Sequence, residues 1–396
     1  MVEQADTLDT GNYFDRSTRI GGRERWATYV VFLSTGALIA GWAPLIPFAR
    51  SHLGINEGEL GILLLFLGSG SLIGMPVTGI LTARFGCRPI IICGTFVTAA
   101  TLLVLAVGTS FLGMAAALAV FGAAIGTIDV AMNIQAVIVE KRMRLSLMSG
   151  FHACYSIGGF IGAGGTSALL KLGSSPLRAS LALGFLMVVA VSSQATGILP
   201  VASDREKTTP LFIIPTSLVL FIGLFSALVF MAEGAVLDWS GVFLLQYRRA
   251  EIYAAGYGYA AFAVAITAGR LMGDRLVNAV GGRCVVLGGG LIAAIGFVVA
   301  LALPSQLCAL IGFMLVGFGA ANIIPLLFKA AGRQTSMPAN LAVAAVTTLA
   351  YGGYMIGPAL IGLVAHLVDL RVAFAMLAAI MVFVALAGRG YLPRQR

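Results

Sequence analysis

The hydrophobic pattern of this chain is a succession of long apolar runs separated by short polar turns. An α-helix needs roughly 20 apolar residues to cross the hydrocarbon layer of a bilayer, and the runs reach that length. The strands of a membrane β-barrel would instead be about ten residues long with alternating polarity, whereas the apolar runs of this chain are long and continuous. The pattern predicts twelve membrane-spanning helices, at residues 27–50, 58–82, 89–108, 111–139, 146–170, 178–199, 211–246, 252–279, 283–303, 306–330, 338–367 and 371–390.

A polar interval divides the runs into six and six. It has the sequence VASDREKTTP, from Val201 to Pro210. The resulting division of the chain is a cytoplasmic tail (1–26), a first six-helix bundle (27–199), a cytoplasmic linker (200–210), a second six-helix bundle (211–390) and a second tail (391–396).

The two halves also repeat each other. FGAA begins at Phe121 and again at Phe318, 197 residues later, and the turns that end in Arg88 and Arg283 are 195 residues apart. YSIGGFIG in the fifth run aligns with YGGYMIG in the eleventh. We therefore expect an all-α membrane protein whose twelve transmembrane helices form two pseudo-symmetric six-helix bundles, with a site at the midplane between them.

Composition excludes several classes of protein. The 396 residues are 59% hydrophobic and 10% charged, a balance that a soluble domain of this size would not show. The net charge of +9 comes without a clustered basic stripe or a recognisable nucleic-acid module. The five cysteines form no CxxC pair, so neither a metal site nor a disulfide framework is predicted. The sequence contains no Walker A motif, no HExxH and no nucleophile elbow. We therefore expect neither ATP-driven transport nor enzymatic activity, and no cofactor.

The distribution of lysine and arginine predicts the orientation, because positive residues in short loops stay cytoplasmic. With the amino terminus inside, 19 of the 25 basic residues fall in cytoplasmic segments and six outside. Arg270 and Arg275 are counted here as cytoplasmic. Both termini are therefore predicted to be cytoplasmic.

Three carboxylates lie within apolar runs, namely Asp129 in the fourth run and Glu233 and Asp238 in the seventh. A charge near the bilayer centre costs about 2.5–3.5 kcal/mol even on a permissive scale, so such residues usually face a cavity, a partner or a proton path. His152 lies at a depth similar to that of Asp129, and we expect the two to form a proton relay or a fixed pair between helices, or to make no contact. Glu233 is expected in a cavity or in an interhelical hydrogen bond, and Asp238 at an outer gate or in a structural role.

Polar and aromatic residues at midplane depth are candidates for binding a solute. Asparagine offers donors and an acceptor, which suits hydroxylated solutes, and flat rings bind the faces of sugars as well as of drugs. Ordinary helix packing is the alternative for each of them. The candidates are Trp42, Asn133, Tyr155, Asn322, Tyr351 and Tyr354.

Two turns carry a shared motif of glycine and arginine. Residues 79–88 read GILTARFGCR, and residues 269–276 read GRLMGDRL before GGR at 281–283. Both resemble the G-x-L-x-D-R-x-G-R signature of the major facilitator superfamily. The resemblance covers the whole chain through the number of helices, the central break and both turn positions.

In that family the turn holds helix ends together on the cytoplasmic side while the transporter faces outward. The resemblance implies this gating role for Arg84, Arg88, Asp274 and Arg275, with arginines bonding helix-end carbonyls and the aspartate neutralising them. Ala83 stands where the family has its first aspartate, which predicts a weaker latch there. The alternative is that these charges only set the topology.

Within the superfamily the chain is similar to small bacterial permeases related to the fucose-permease group, through D-x-x-x-N from Asp129 and EGAVLDWSG from Glu233. Sugar symporters of that group also use a carboxylate in the first helix, where this chain has none. Proton coupling would then rest on Asp129 with His152 or Glu233.

This resemblance implies a secondary active transporter of a bacterial inner membrane that moves a small polar, sugar-like solute by alternating access in symport with protons. An exporter that exchanges amphiphilic or drug-like compounds for protons is the alternative. The expected partners are the solute, protons and the lipid bilayer, without nucleic acid, and the expected state is a monomer. A membrane sensor or a passive channel is disfavoured by the short tails and the buried acids.

Overall fold

The computed structural model describes residues 21–145, 147–200 and 215–388. Most of the predicted amino-terminal tail, the linker at 201–210 and the tail at 391–396 lie outside the described residues. The helices are α1 (Gly22–Gly41), α2 (Ile46–Leu53), α3 (Glu57–Phe85), α4 (Cys87–Val107), α5 (Phe111–Met143), α6 (Met148–Lys171), α7 (Pro176–Ser193), α8 (Ser217–Arg248), α9 (Tyr257–Val280), α10 (Gly282–Ala302), α11 (Gln306–Ala320), α12 (Ile323–Arg333), α13 (Ala339–Leu367) and α14 (Leu370–Gly388).

Twelve membrane-spanning segments are formed by the described residues, which confirms the predicted number. Two of the segments are interrupted. The first consists of α1, a 3-10 turn at Ala43–Leu45 and α2, and the tenth consists of α11 and α12. Proline explains both breaks, because it lacks an N–H and its ring clashes with the carbonyl four residues earlier. Pro44 follows the end of α1, and Pro325 follows the end of α11.

The helices pair in the same way in both halves of the chain. In the first half α1 packs on α6, α3 on α5, and α4 on α5 and α7. In the second half α8 packs on α13, α9 on α11, and α10 on α11 and α14. Gly86 and Gly281, 195 residues apart, take the same positive φ of 77° and 82° at equivalent turns, a conformation that glycine adopts without strain. The two pseudo-symmetric six-helix bundles are therefore confirmed.

Two helix pairs join the bundles, α3 with α13 and α6 with α9. Close approach of α3 and α13 requires glycine at their contact. A Cβ atom on Gly362 would lie 2.6 Å from the carbonyl oxygen of Glu57 and 2.7 Å from the Cα of Gly61. The two backbones thus touch without intervening side chains at this point.

The bundles are bonded to each other at the end of the molecule that holds the turn between α2 and α3. There the Gln246 amide donates to Glu57 Oε1 at 2.8 Å, and the Gly256 N–H donates to Ser167 Oγ at 3.1 Å. Arg50 Nη2 lies 2.6 Å from the same Glu57 oxygen. We call this end, defined by Glu57, Ser167, Gln246 and Gly256, the closed end.

The opposite end carries the motif turns, where the contacts of the four predicted gating residues can be compared with their expected role as a latch. Asp274 and Arg275 are exposed and form no hydrogen bond or ion pair with other described residues. Arg84 lies over the ring of Phe85, its neighbour in sequence, at 5.2 Å. Arg88 Nε donates to the carbonyl of Ile198 in its own bundle at 2.8 Å. Among the described residues, the four predicted gating residues Arg84, Arg88, Asp274 and Arg275 therefore do not connect the two bundles.

Candidate functional site

A cavity of about 220 Å³ lies between the two bundles. The first bundle contributes α1, α3, α5 and α6 to its wall, and the second contributes α8, α9 and α13. Much of the wall is apolar, as expected for helices that also face lipid. The polar side chains of the lining are Ser71, Asp129, His152, Tyr155, Ser156, Glu233, Tyr259, Arg270, Tyr351 and Tyr354.

Asp129 binds across the interface between the bundles. Tyr351 Oη, on α13 of the second bundle, donates to Asp129 Oδ2, on α5 of the first bundle, at 2.9 Å. A hydrogen bond to an ionised carboxylate is roughly twice as strong as one between neutral groups. A negative charge on Asp129 would therefore strengthen this contact between the two bundles.

A second polar connection runs through Arg270 on α9. Arg270 Nη1 donates to Ser156 Oγ on α6 at 3.1 Å, and Ser156 Oγ in turn donates to the backbone carbonyl of His152 at 3.3 Å. Arg270 Nη2 lies 3.7 Å from Glu233 Oε2, which is an ion pair without a hydrogen bond. The other carboxylate oxygen of Glu233, Oε1, is buried without a hydrogen-bond partner among the described residues.

His152 lines the same cavity as Asp129 but is not its hydrogen-bond partner. The imidazole packs edge-on against Phe32, with ring centroids 5.3 Å apart, and the Asp129 carboxylate is bonded to Tyr351 instead. The structure therefore brings the two residues into one cavity and forms no direct pair between them.

Three of the predicted solute-binding residues lie outside the cavity wall. Trp42 is fully buried in the core, where its indole nitrogen has no hydrogen-bond partner among the described residues. The Asn133 side chain donates to the carbonyl of Asp129, one turn earlier, at 2.8 Å. The Asn322 side chain donates to the carbonyl of Gly269 at 2.8 Å, next to the break between α11 and α12. Trp42 packs in the core and the two asparagine amides bond backbone carbonyls, so the expectation that these three residues line the cavity is not met.

Of the remaining predicted residues, Tyr155, Glu233, Tyr351 and Tyr354 are in the cavity wall. Asp238 is buried, with 5% of its surface exposed, and does not line the cavity. It follows Glu233 by five residues on the uninterrupted helix α8, which turns the two side chains about 140° apart. Asp238 is thus removed from Glu233 in direction as well as in depth.

Arg270 lines the cavity, although the sequence predicted that it would lie on the cytoplasmic side. That prediction came from its place in the motif sequence GRLMGDRL, as the residue after Gly269, but α9 continues to Val280. Ten residues of helix separate Arg270 from that end, which is about 15 Å. The length of the apolar run, 252–279, was the signal that placed Arg270 inside the span. Tyr259 also lines the cavity and was not predicted, because tyrosine is common near the ends of membrane spans.

Two six-helix bundles around a cavity that contains charged and polar side chains at their interface define a membrane carrier of the transporter class. Comparison with known proteins specifies the family. The model of the Major Facilitator Superfamily matches residues 28–340, and the chain belongs to this superfamily.

The relatives agree with this membership. A Yersinia pestis protein described as an uncharacterized MFS-type transporter is 49% identical over 369 residues, which cover 93% of this chain and 96% of that protein. Membrane protein MosC of Rhizobium meliloti is 30% identical over 356 residues, covering 90% and 87%. The crystal structure of a mutant of the nucleoside transporter NupG has a TM-score of 0.74 at 14% identity, covering 94% of this chain and 100% of NupG, and so shares the fold. The chain is therefore a multi-pass membrane transporter and not an enzyme.

Proposed function

We propose that this protein carries a small polar solute across the membrane by alternating access, in symport with protons. The observation that supports it is the Asp129 carboxylate in the central cavity, bonded across the bundle interface to Tyr351. A carboxylate inside the membrane is costly and usually marks an ion or proton pathway, and a proton is the smallest ion that it binds. Gain of a proton at Asp129 changes an inter-bundle bond, which couples protonation to movement.

The cycle follows from this bond. Protonation of Asp129 from one side removes its charge and weakens the bond from Tyr351, so the bundles can reorient with the solute between them. Release of the proton on the other side restores the charge and the bond. The four predicted gating residues make no bond between the bundles among the described residues, whereas the closed end is bonded, so the described conformation is the one that opens toward the motif turns.

The size and lining of the cavity favour a small polar solute. Pockets for drug-sized ligands usually measure roughly 300–1,000 Å³, whereas this cavity measures about 220 Å³. Four tyrosines in its wall offer hydroxyl groups to a sugar-like solute and flat rings to its C–H faces. The alternative, export of amphiphilic compounds in exchange for protons, draws on apolar lining residues such as Phe230, Phe262 and Ile266.

A thermal-shift screen at two pH values tests the solute class. Detergent-purified protein is heated with sugars, polyols, organic acids, nucleosides and cationic dyes at pH 5.5 and 7.5. Nucleosides are included because the structural neighbour NupG is described as a nucleoside transporter. A polar solute whose stabilisation changes with pH supports the symporter. Stabilisation by dyes alone would refute it in favour of the exporter.

We also propose that both termini are cytoplasmic, in a bacterial inner membrane, and that the motif turns face the cytoplasm. Moving Arg270 from a loop to the cavity wall leaves 18 basic residues on that side against six, so the charge asymmetry persists. A fluorescent protein fused to either terminus should fold and fluoresce, and an alkaline phosphatase fusion should be inactive. The opposite pair of results would reverse the orientation.

The cavity is built from one chain, which supports a functional monomer. Purified protein should have the mass of one 41.0 kDa chain plus detergent in light scattering. Transport activity confined to a dimer fraction would contradict this proposal.

A further inference from the structure

The pairing of Arg270 and Glu233 is incomplete in a way that points to the solute. A guanidinium group has five N–H donors, and the described residues accept one hydrogen bond from it, at Ser156 Oγ. The nearest carboxylate oxygen, Glu233 Oε2, is 3.7 Å from Nη2, too far for a hydrogen bond. Glu233 Oε1 is buried and unpaired among the described residues. Donors and acceptor are thus both left unsatisfied at the wall of the cavity.

Such an arrangement is unfavourable for a purely structural ion pair. Buried charges are normally paired and hydrogen-bonded, because an unsatisfied one keeps its full desolvation cost. The Arg270 side chain also keeps 26% of its surface exposed, and the Glu233 side chain keeps 12%. Because Arg270 lines the cavity, a solute bound there would supply the missing acceptors.

From this geometry we infer that Arg270 binds a carboxylate of the transported solute, and that the solute is a small polyhydroxylated carboxylate of the sugar-acid class. The planar fork of arginine matches the two oxygens of a carboxylate. Hydroxyl groups of the same solute donate to Glu233 Oε2, the carboxylate oxygen that is not fully buried, and the C–H faces of the solute lie on the tyrosine rings. The inference rests on the proposed transport of a small polar solute and narrows its class.

The charge balance of the cavity favours one carboxylate over a phosphate. Among the described lining residues, Arg270 is the one arginine or lysine, and it stands against Asp129 and Glu233. A dianionic phosphate would bring two further negative charges to a single cation. A monocarboxylate brings one negative charge and binds the guanidinium in place of Glu233. Glu233 and the solute therefore compete for Arg270.

Matched solutes test the inference without any mutation. Binding of gluconate and of glucitol, which share a six-carbon polyhydroxylated chain and differ in the carboxylate, is measured on the purified protein by calorimetry, together with galacturonate against galactose. The carboxylate of each pair should bind at least tenfold more tightly. Equal or tighter binding of the neutral members, or no binding of any carboxylate, overturns the inference.

Variants then assign the carboxylate to Arg270. Arg270→Gln should weaken carboxylate binding roughly 10- to 150-fold, the range for a lost hydrogen bond to a charged group, and Arg270→Lys should retain part of it. Arg178→Gln removes the same charge from an exposed position on α7 and should bind as the wild type does. A carboxylate preference that survives in a well-folded Arg270→Gln protein would refute the assignment.

Because Glu233 and the solute carboxylate compete for Arg270, a substitution at Glu233 should change the solute affinity in the opposite direction to one at Arg270. Glu233→Gln removes the rival carboxylate while keeping a hydrogen-bonding side chain, so carboxylate binding should tighten several-fold. A merely structural Glu233 predicts weaker binding, and that result would count against the inference.

If a neutral solute is accumulated by a proton gradient, the sugar-acid class is refuted and the proposed function stands. If a carboxylate binds through Arg270 without gradient-driven uptake, the inference stands and the proposed coupling fails.

Discussion

Replacement of Gly362 by alanine should open the closed end. The new Cβ atom would lie 2.6 Å from the carbonyl oxygen of Glu57 and 2.7 Å from the Cα of Gly61. Both neighbours are backbone atoms, so α3 and α13 must separate to relieve the overlap. Overpacking of a tight contact costs about 1–3 kcal/mol. If that cost falls on the closed-end conformation alone, its population relative to the alternative falls roughly 5- to 150-fold.

The opening can be measured by cysteine alkylation. Leu237 lines the cavity one turn closer to the closed end than Glu233 does, and 5% of its surface is exposed. In a background in which the native cysteines are replaced by serine, Leu237→Cys is labelled with a membrane-impermeant maleimide applied from the closed-end side. The labelling rate should rise in the Gly362→Ala protein in proportion to the population that has opened.

Gly352→Ala is the matched control. It lies on the same helix, and a Cβ atom there meets nothing within 4 Å, so it changes helix propensity without changing the contact. Labelling of this control should equal that of the Leu237→Cys protein alone. If Gly362→Ala and Gly352→Ala give the same labelling rate, the α3–α13 contact does not govern closure and the reasoning is refuted.

Three further outcomes are expected. Asn322→Ala should lower the melting temperature, because it loses a buried hydrogen bond of about 1 kcal/mol, and it should leave solute affinity unchanged. A weaker affinity without destabilisation would show instead that Asn322 binds the solute. Tyr351→Phe should slow gradient-driven uptake about tenfold, through loss of its bond to Asp129, and uptake at the wild-type rate would disprove the role of that bond. Hydrogen bonds from Arg371 hold the pKa of Asp369, in the turn before α14, below its usual range. The ionised Asp369 therefore stabilises the fold, so Asp369→Asn should have a lower melting temperature than the wild type above pH ~4. The two melting temperatures should become equal once the pH falls through the lowered pKa and Asp369 is protonated. A difference in melting that persists at lower pH would contradict this.

The positions of the spans were predictable because a membrane helix must satisfy its own backbone and expose apolar side chains to lipid. The repeat of FGAA and of the two motif turns predicted which helices would be equivalent, and Gly86 and Gly281 show the same backbone turn. The predictable part of the fold therefore comes from features that one helix or one turn carries alone.

The rotation of each helix was less predictable, since most spans are apolar on all sides. Depth alone placed Trp42 and Asn322 at the midplane, and their neighbours in space, the core and the Gly269 carbonyl, determine that they face away from the cavity. Arg270 was missed because a motif was given more weight than the length of its helix. The bond between Asp129 and Tyr351 joins residues 222 positions apart and needed the packing of both bundles.

Proton coupling at Asp129 is tested most directly by uptake into proteoliposomes under an imposed pH gradient, with the solute that gives the largest thermal shift. The wild type should accumulate this solute only when the gradient is present. Asp129→Asn should bind the solute yet show no gradient-driven accumulation, while Glu251→Gln, which removes an exposed carboxylate from the turn before α9, should behave as the wild type does. Undiminished gradient-driven accumulation by Asp129→Asn would contradict the account.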